Sequence, residues 1–214
     1  MDLLEEIKDD LERERNAELL NKYGFLLVGL MILVVLGASV YSWWNNHNQQ
    51  IQQDDGNAFY SALKVESGDQ KAAIPLYEAI NQLHHGAISG LAALKEAELL
   101  TATGQTDRAV VVYRGIADDN HADLALRDRA RLAIVDIHVA AGKTGMEDDN
   151  ELATIAASNR PWRYSAIELQ GALALAKNNR TEAGRYFNVL VNDKQTPVDM
   201  KTRASQVLSV IGSI

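Results

Sequence analysis

Few residues in this sequence stand where side-chain chemistry would need them. His84 and His85 come nearest to a metal-ligand pair, but neighbours in sequence point apart on a helix or loop, and no carboxylate follows at ligand spacing. They read as part of a solvated inter-helix loop, with His121 a loop residue and His138 a residue of a helix surface. Asp118 with Asp119, and Glu147 with Asp148 and Asp149, are loop carboxylates without the burial that acid or base catalysis requires. No phosphate-cradling glycine loop, nucleophile elbow or paired-histidine helix occurs. Cysteine is absent, which removes disulfides, thiolate metal sites and cysteine nucleophiles together. The expectation is a protein that is not an enzyme, with no catalytic residue, no metal and no cofactor.

One cluster has the chemistry of binding instead. Arg127, Asp128, Arg129 and Arg131 crowd a single stretch, and the four-residue spacing puts Arg127 and Arg131 on one face of a helix. Two uses compete for them. They are a basic spot in a groove that pairs with acidic groups of a ligand, or a salt-bridged face shared with Asp123, Asp128 or Asp136. Overall charge narrows the ligand class. Residues 1–22 carry four Lys/Arg against eight Asp/Glu, and residues 54–214 carry seventeen against twenty-one. A net charge of -4 on the larger part argues against nucleic acid, which demands a basic stripe to neutralise phosphates.

The elements that must position such residues are helices. From residue 54 on, the chain is rich in Ala and Leu and shows no alternating strand pattern. It also repeats. Gly68, Gly104, Gly142 and Asn178 are 36, 38 and 36 residues apart, close to the pitch of helix-turn-helix repeats. Five residues after three of these turns come Ala73, Ala109 and Ala183; four further on come Tyr77, Tyr113 and Phe187; then Ile80, Ile116 and Leu190. Seven residues before the turns stand Ser61, Ala97 and Gly171, with Val135 the exception. Gly or Asn closes each first helix in the left-handed conformation, small side chains let the pair approach, and the aromatic fills the space between units. The pattern predicts a tetratricopeptide-like α-solenoid of about four helix pairs with a capping helix near residues 198–211. The third unit departs from it: KTGMEDDNEL puts Glu147 and Glu151 where Ala and the aromatic belong, which moves its second helix to about residues 149–158. Asn159, Arg160, Pro161 and Trp162 then restart the chain with a proline at a helix entrance.

Ahead of the repeats, no Asp, Glu, Lys or Arg occurs between Lys22 and Asp54, and residues 23–44 read YGFLLVGLMILVVLGASVYSWW. As a helix that run is about 33 Å long, enough for a hydrocarbon core of about 30 Å. Tyr23 and Phe25 at one end, and Tyr41, Trp43 and Trp44 at the other, suit the two headgroup levels. The alternative, a signal peptide cut near Gly37, Ala38 and Ser39, is opposed by the acidic-rich leader and the length of the apolar run. Lys8, Arg13, Arg15 and Lys22 precede the run and Lys64 is the first cation after it, so the N-terminus is expected in the cytoplasm. Leu4, Ile7 and Leu11 give the leader a short apolar stripe. The expected division is therefore a cytoplasmic leader at 1–22, a transmembrane helix at 23–44, a polar juxtamembrane linker or helix start at 45–56, and a helical domain at 57–214.

The order of parts resembles the YfgM-like tetratricopeptide family of Gram-negative inner membranes, its alphaproteobacterial branch in particular. The resemblance rests on ERERNAELLNKYG running into one apolar segment, then FYSAL, GQTDRAVVVY, RPWRYSAIELQGALAL and TPVDMKTRA. It implies an all-α inner-membrane protein, single-pass, with its C-terminal domain in the periplasm. It further implies an ancillary subunit of the SecYEG translocon that works beside a PpiD-type periplasmic chaperone on exported polypeptides. No catalytic residue comes with the resemblance. A scaffold for another assembly of the cell envelope is the competing expectation, since a fold of this class does not fix its partner.

Overall fold

The computed structural model describes residues 3–83, 86–157 and 159–212, with the side chains of 3–24, 27, 28 and 48 outside the described set. Among the described residues the chain is helical and has no strand. The helices are α1 (Leu3–Glu66), α2 (Gln70–Asn81), α3 (Gly86–Ala102), α4 (Thr106–Asp118), α5 (Leu124–Ala140), α6 (Met146–Ala156), α7 (Arg163–Ala176), α8 (Arg180–Asn192) and α9 (Val198–Ile211). They divide into two compact units, residues 1–53 and 54–214.

In the first unit α1 is helical through the whole apolar run and on through the polar stretch 45–53. The described large apolar side chains from Phe25 to Trp44 are exposed, Phe25 at 90% and Trp43 at 67%. Among the described residues no helix is long and apolar enough to cross a membrane. Tyr23, Gly24, Leu27 and Val28 of the expected span, and the stripe of Leu4, Ile7 and Leu11, lie outside the described side chains.

The second unit is built from antiparallel pairs whose turns follow one recipe. Gly104, Gly142 and Asn178 adopt φ of 81°, 65° and 59°. At each, the left-handed residue donates its N–H to the carbonyl three residues back and the next residue donates five back, as in Gln105 N–H to Leu100 O at 2.7 Å. This double closure satisfies carbonyls that the helix end would otherwise leave unpaired. Gly68 is an exception to the expected conformation: its φ is not positive, and the chain turns because Asp69 caps α2, accepting from Lys71 N–H at 2.9 Å and Ala72 N–H at 3.1 Å.

The interlocking pattern is present where the repeat spacing put it. Ala73, Ala109 and Ala183 are fully buried, as are Tyr77, Tyr113 and Phe187 to within a few per cent, with Ile80, Ile116 and Leu190 behind them. Opposite the aromatics lie small residues. A Cβ on Gly171 would sit 2.7 Å from Phe187 Cζ, so the bare backbone there makes room for the ring. In the first repeat the small residue in the cluster around Tyr77 is Ala62, fully buried, and not Ser61, which is exposed and donates its hydroxyl to Asn57 O. One residue along a helix is about 100° of rotation, so a single-residue offset moves the contact off the packed face.

The third unit keeps the periodicity but starts one residue late. Asp148, Leu152 and Ile155 have the same spacing as Ala73, Tyr77 and Ile80, and all three are buried. The helix begins at Met146, three residues before the expected start, because the Asp148 carboxylate caps it by accepting from Gly145 N–H at 2.7 Å. Asp148 therefore replaces the buried alanine and is no loop carboxylate. It is held by His138 Nδ1 at 2.8 Å, so His138 is a partly buried partner and not a plain surface residue.

The apolar core runs along the unit as three linked clusters. One joins Ala62 through α2, α3 and α4 to Ala133, a second joins α5, α6 and α7 around Val135, Leu152 and Leu173, and a third joins α7, α8 and α9 around Phe187 and Ala204. α9 follows the last pair as a cap, with buried Ala204 against the core and Thr202, Ser205 and Ser209 exposed. Two helical glycines separate packing from propensity. Gly171→Ala is expected to lower stability by about 1–3 kcal/mol through overpacking against Phe187. Gly115→Ala, at an exposed position with nothing near its Cβ direction, is expected to raise stability by about 0.5–1 kcal/mol. Thermal melts followed by circular dichroism at 222 nm read both.

Candidate functional site

The first helices of successive pairs, α3, α5 and α7, lie beside one another. Between α5 and α7 opens a groove of about 410 Å³. Leu132, Leu169 and Ala172 contribute apolar surface, and Arg129, Asp136, Ser165 and Glu168 contribute polar groups. Trp162 lines it as well, at the entrance to α7. The arrangement has the general make-up of a polypeptide-binding surface, an apolar centre with polar groups around it.

Beside the groove, a buried carboxylate ties α5 to the segment that leads into α7. Asp128 on α5 has no exposed surface; its Oδ1 accepts from Arg160 Nη1 at 2.7 Å and pairs with Arg131 at 3.5 Å. Arg160 belongs to the segment that leads into α7, so this pair ties that segment to α5. Two residues later the Trp162 indole N–H donates to Ala125 O at 2.7 Å, a second tie between the same two places. Arg131 also donates to Ala117 O at the end of α4 and reaches Glu151 on α6 at 3.5 Å. One guanidinium thus joins α4 and α6 to its own helix, α5.

The two arginines that the sequence singled out are placed differently from each other. Arg131 takes the ion-paired option, spent on Asp128 and Glu151. Arg127 is half-buried, with its Nε enclosed and without a hydrogen-bond partner. Neither lines the groove; Arg129, between them, does, and its guanidinium pairs with Glu98 on α3 at 3.0 Å. Across the groove Glu168 is held by Arg203 of α9 through two bonds of 2.8 and 3.0 Å. Of the aspartates weighed as partners, Asp123 caps α5 through Ala125 N–H at 2.7 Å, Asp128 is the buried anchor, and Asp136 is exposed with no ion pair among the described residues. Arg160 and Trp162 escaped the sequence reading as binding elements, although the proline between them marked a helix entrance.

His84 and His85 lie outside the described residues. Among those described, no group of three or more His, Asp or Glu side chains could hold a metal ion. His121 sits in the exposed loop after α4, where its backbone N–H meets the Asp119 carboxylate at 2.8 Å.

A model of the tetratricopeptide repeat-like domain matches residues 18–204. The chain belongs to that family. No curated protein and no solved structure matches it. A fold of this family suggests a protein-protein interaction module.

Two buried or half-buried carboxylates on the neighbouring first helices titrate in opposite senses. Burial raises Glu96 on α3, which is 3% exposed; the hydrogen bond from Asn81 Nδ2 at 3.1 Å opposes it, and the nearby charge of Glu78 adds to it. Burial also acts on Glu66, but the Tyr77 hydroxyl at 2.5 Å and Lys95 at 3.0 Å outweigh it and bring that carboxyl below its ordinary value. For Glu96 the folded state holds the proton more tightly than the unfolded one, so its contribution falls as pH rises above about 4.5. For Glu66 the sign reverses, and stability present above that pH is lost as pH falls through its folded value.

Urea titrations across pH 4 to 7 are therefore expected to show Glu96→Gln gaining stability towards neutral pH, with a flatter profile than the parent chain. At the joint itself, Asp128→Ala is expected to cost about 3–5 kcal/mol by stranding buried guanidinium charge. A double-mutant cycle with Arg160→Ala should return a coupling of about 1–3 kcal/mol. Purely additive losses would mean that the two side chains do not act as a pair.

Proposed function

We propose that this protein is a membrane-anchored interaction module, an ancillary subunit of a protein translocon with a chaperone-like role for exported polypeptides. The observation that carries the proposal is the joining of two things in one chain. The match to the tetratricopeptide repeat-like family takes in both an uncharged apolar run, whose described side chains are exposed to their surroundings, and the paired helices after it, which carry an open groove along their first members. An apolar helix of about 20 residues with aromatic ends has the composition of a bilayer span. Such surface would be costly in water. The excess of Lys and Arg before the run supports a cytoplasmic N-terminus, and so a domain on the far side of the membrane.

The resemblance to the YfgM-like family adds the finer reading: a bacterial inner membrane, a periplasmic domain, and SecYEG with a PpiD-type chaperone as neighbours. Anchoring has a physical advantage for such a role. A tethered groove meets emerging chains at a high effective concentration, so weak contacts suffice and release stays fast.

Two measurements test the proposal. Protease added to spheroplasts should degrade residues 54–214 while leaving a membrane-embedded N-terminal fragment; a C-terminal part protected from protease would refute the orientation. A photoreactive residue at Gly29 or Val34 should crosslink to translocon subunits in intact membranes. Crosslinks confined to a different envelope complex would assign the module to that assembly instead.

A further inference from the structure

We infer that the groove between α5 and α7 selects polypeptide segments in which a basic side chain stands next to an apolar one, with Asp136 as the acceptor of the cation. The inference rests on the interaction role proposed above and adds the chemistry of the bound segment.

The charges around the groove decide the sign. Arg129 is neutralised by Glu98 at 3.0 Å, and Glu168 is neutralised by Arg203 through two bonds. Arg131 and Arg160 are turned inward onto Asp128. Among the groove-lining charges that leaves Asp136, exposed and without an ion pair among the described residues. A segment with acidic side chains would meet one uncompensated carboxylate and no free cation, and one with basic side chains finds its complement. The second unit as a whole points the same way, with seventeen Lys/Arg against twenty-one Asp/Glu.

Trp162 supplies part of the apolar half of the recognition. Its indole N–H is already committed to Ala125 O, so what it offers a ligand is the carbon surface of the ring. That ring surface lengthens the apolar floor on which the side chain next to the cation can rest. The rest of the apolar half falls to Leu132, Leu169 and Ala172 on the two facing helices. Asp128 with Arg160, and Trp162 with Ala125, tie the segment that enters α7 to α5, which organises that end of the site before a segment arrives.

The test uses the full chain in nanodiscs of zwitterionic lipid, with empty nanodiscs as the blank. The probes are fluorescein-labelled glycine-serine peptides with a leucine-lysine-leucine core or a leucine-glutamate-leucine core, read by anisotropy. The lysine peptide is expected to bind roughly tenfold more tightly than the glutamate peptide, and Asp136→Asn to weaken it by roughly fivefold, as loss of one ion pair allows. Leu169→Ala should weaken both peptides alike. Because Asp136 is exposed, its variant should melt like the parent chain, which separates lost binding from lost folding. Equal binding of the two peptides, or an unchanged affinity in Asp136→Asn, overturns the inference. A photoreactive residue at Ala172 in intact membranes separates the two levels of failure. Crosslinks to polypeptides elsewhere on the domain but not at Ala172 would sink the groove and spare the interaction role. No crosslink to any polypeptide from any position would sink the interaction role itself.

Discussion

Everything in the helical domain depends on one constraint: an isolated helix pair has more apolar face than it can hide. The solution is local and repeated. A methyl group or a bare backbone on one helix meets an aromatic ring from another, so the two backbones approach and the ring fills what remains. Tyr77 shows how much else attaches to this contact. The ring lies edge-on to Phe59 at 5.5 Å, while its hydroxyl reaches the Glu66 carboxylate, which in turn holds Lys95. One buried aromatic thereby joins the end of α1 to α2 and α3 by packing, hydrogen bonding and charge at once.

The groove arises where this regularity changes. In the third unit a carboxylate occupies the alanine position and needs a partner, which His138 provides from α5. A second carboxylate, Asp128, is buried on the same helix and draws in Arg160 from the next unit. Buried charge is tolerated only when paired, so Asp148 holds α6 against α5 and Asp128 holds the chain between α6 and α7 to α5. The open surface lies between the two helices that this tie joins, α5 and α7. The groove thus lies where polar groups interrupt an otherwise apolar stack.

Much of this was legible in the sequence because it is periodic. The spacing of Ala109, Tyr113 and Ile116 on one helix reports a packed face directly, and α9 falls at the expected residues 198–211. Position-specific readings were less secure where one residue matters. Ser61 and Ala62 are both small, and only the orientation of the helix distinguishes the packed one. Gly68 looked like its counterparts at 104 and 142, but a strong cap at Asp69 turned the chain without a left-handed residue. The site was harder still. Asp128 and Arg160 are 32 residues apart, and nothing local to either announces the other. Arg127, Arg129 and Arg131 looked alike as a cluster, yet one is enclosed, one lines the groove and one braces three helices, since neighbouring helical residues face different surroundings.

The trio of Asp128, Arg131 and Arg160 has a consequence for how this chain can vary. Loss of the aspartate leaves two guanidinium groups facing inward, and loss of either arginine leaves an anion partly uncovered, so each solitary replacement is worse than the starting point. Three well-packed apolar side chains in the same space would cost little or nothing. The joint is thus a ratchet: stepwise drift away from it is blocked at the first move, while its concerted exchange for an oily contact is energetically open.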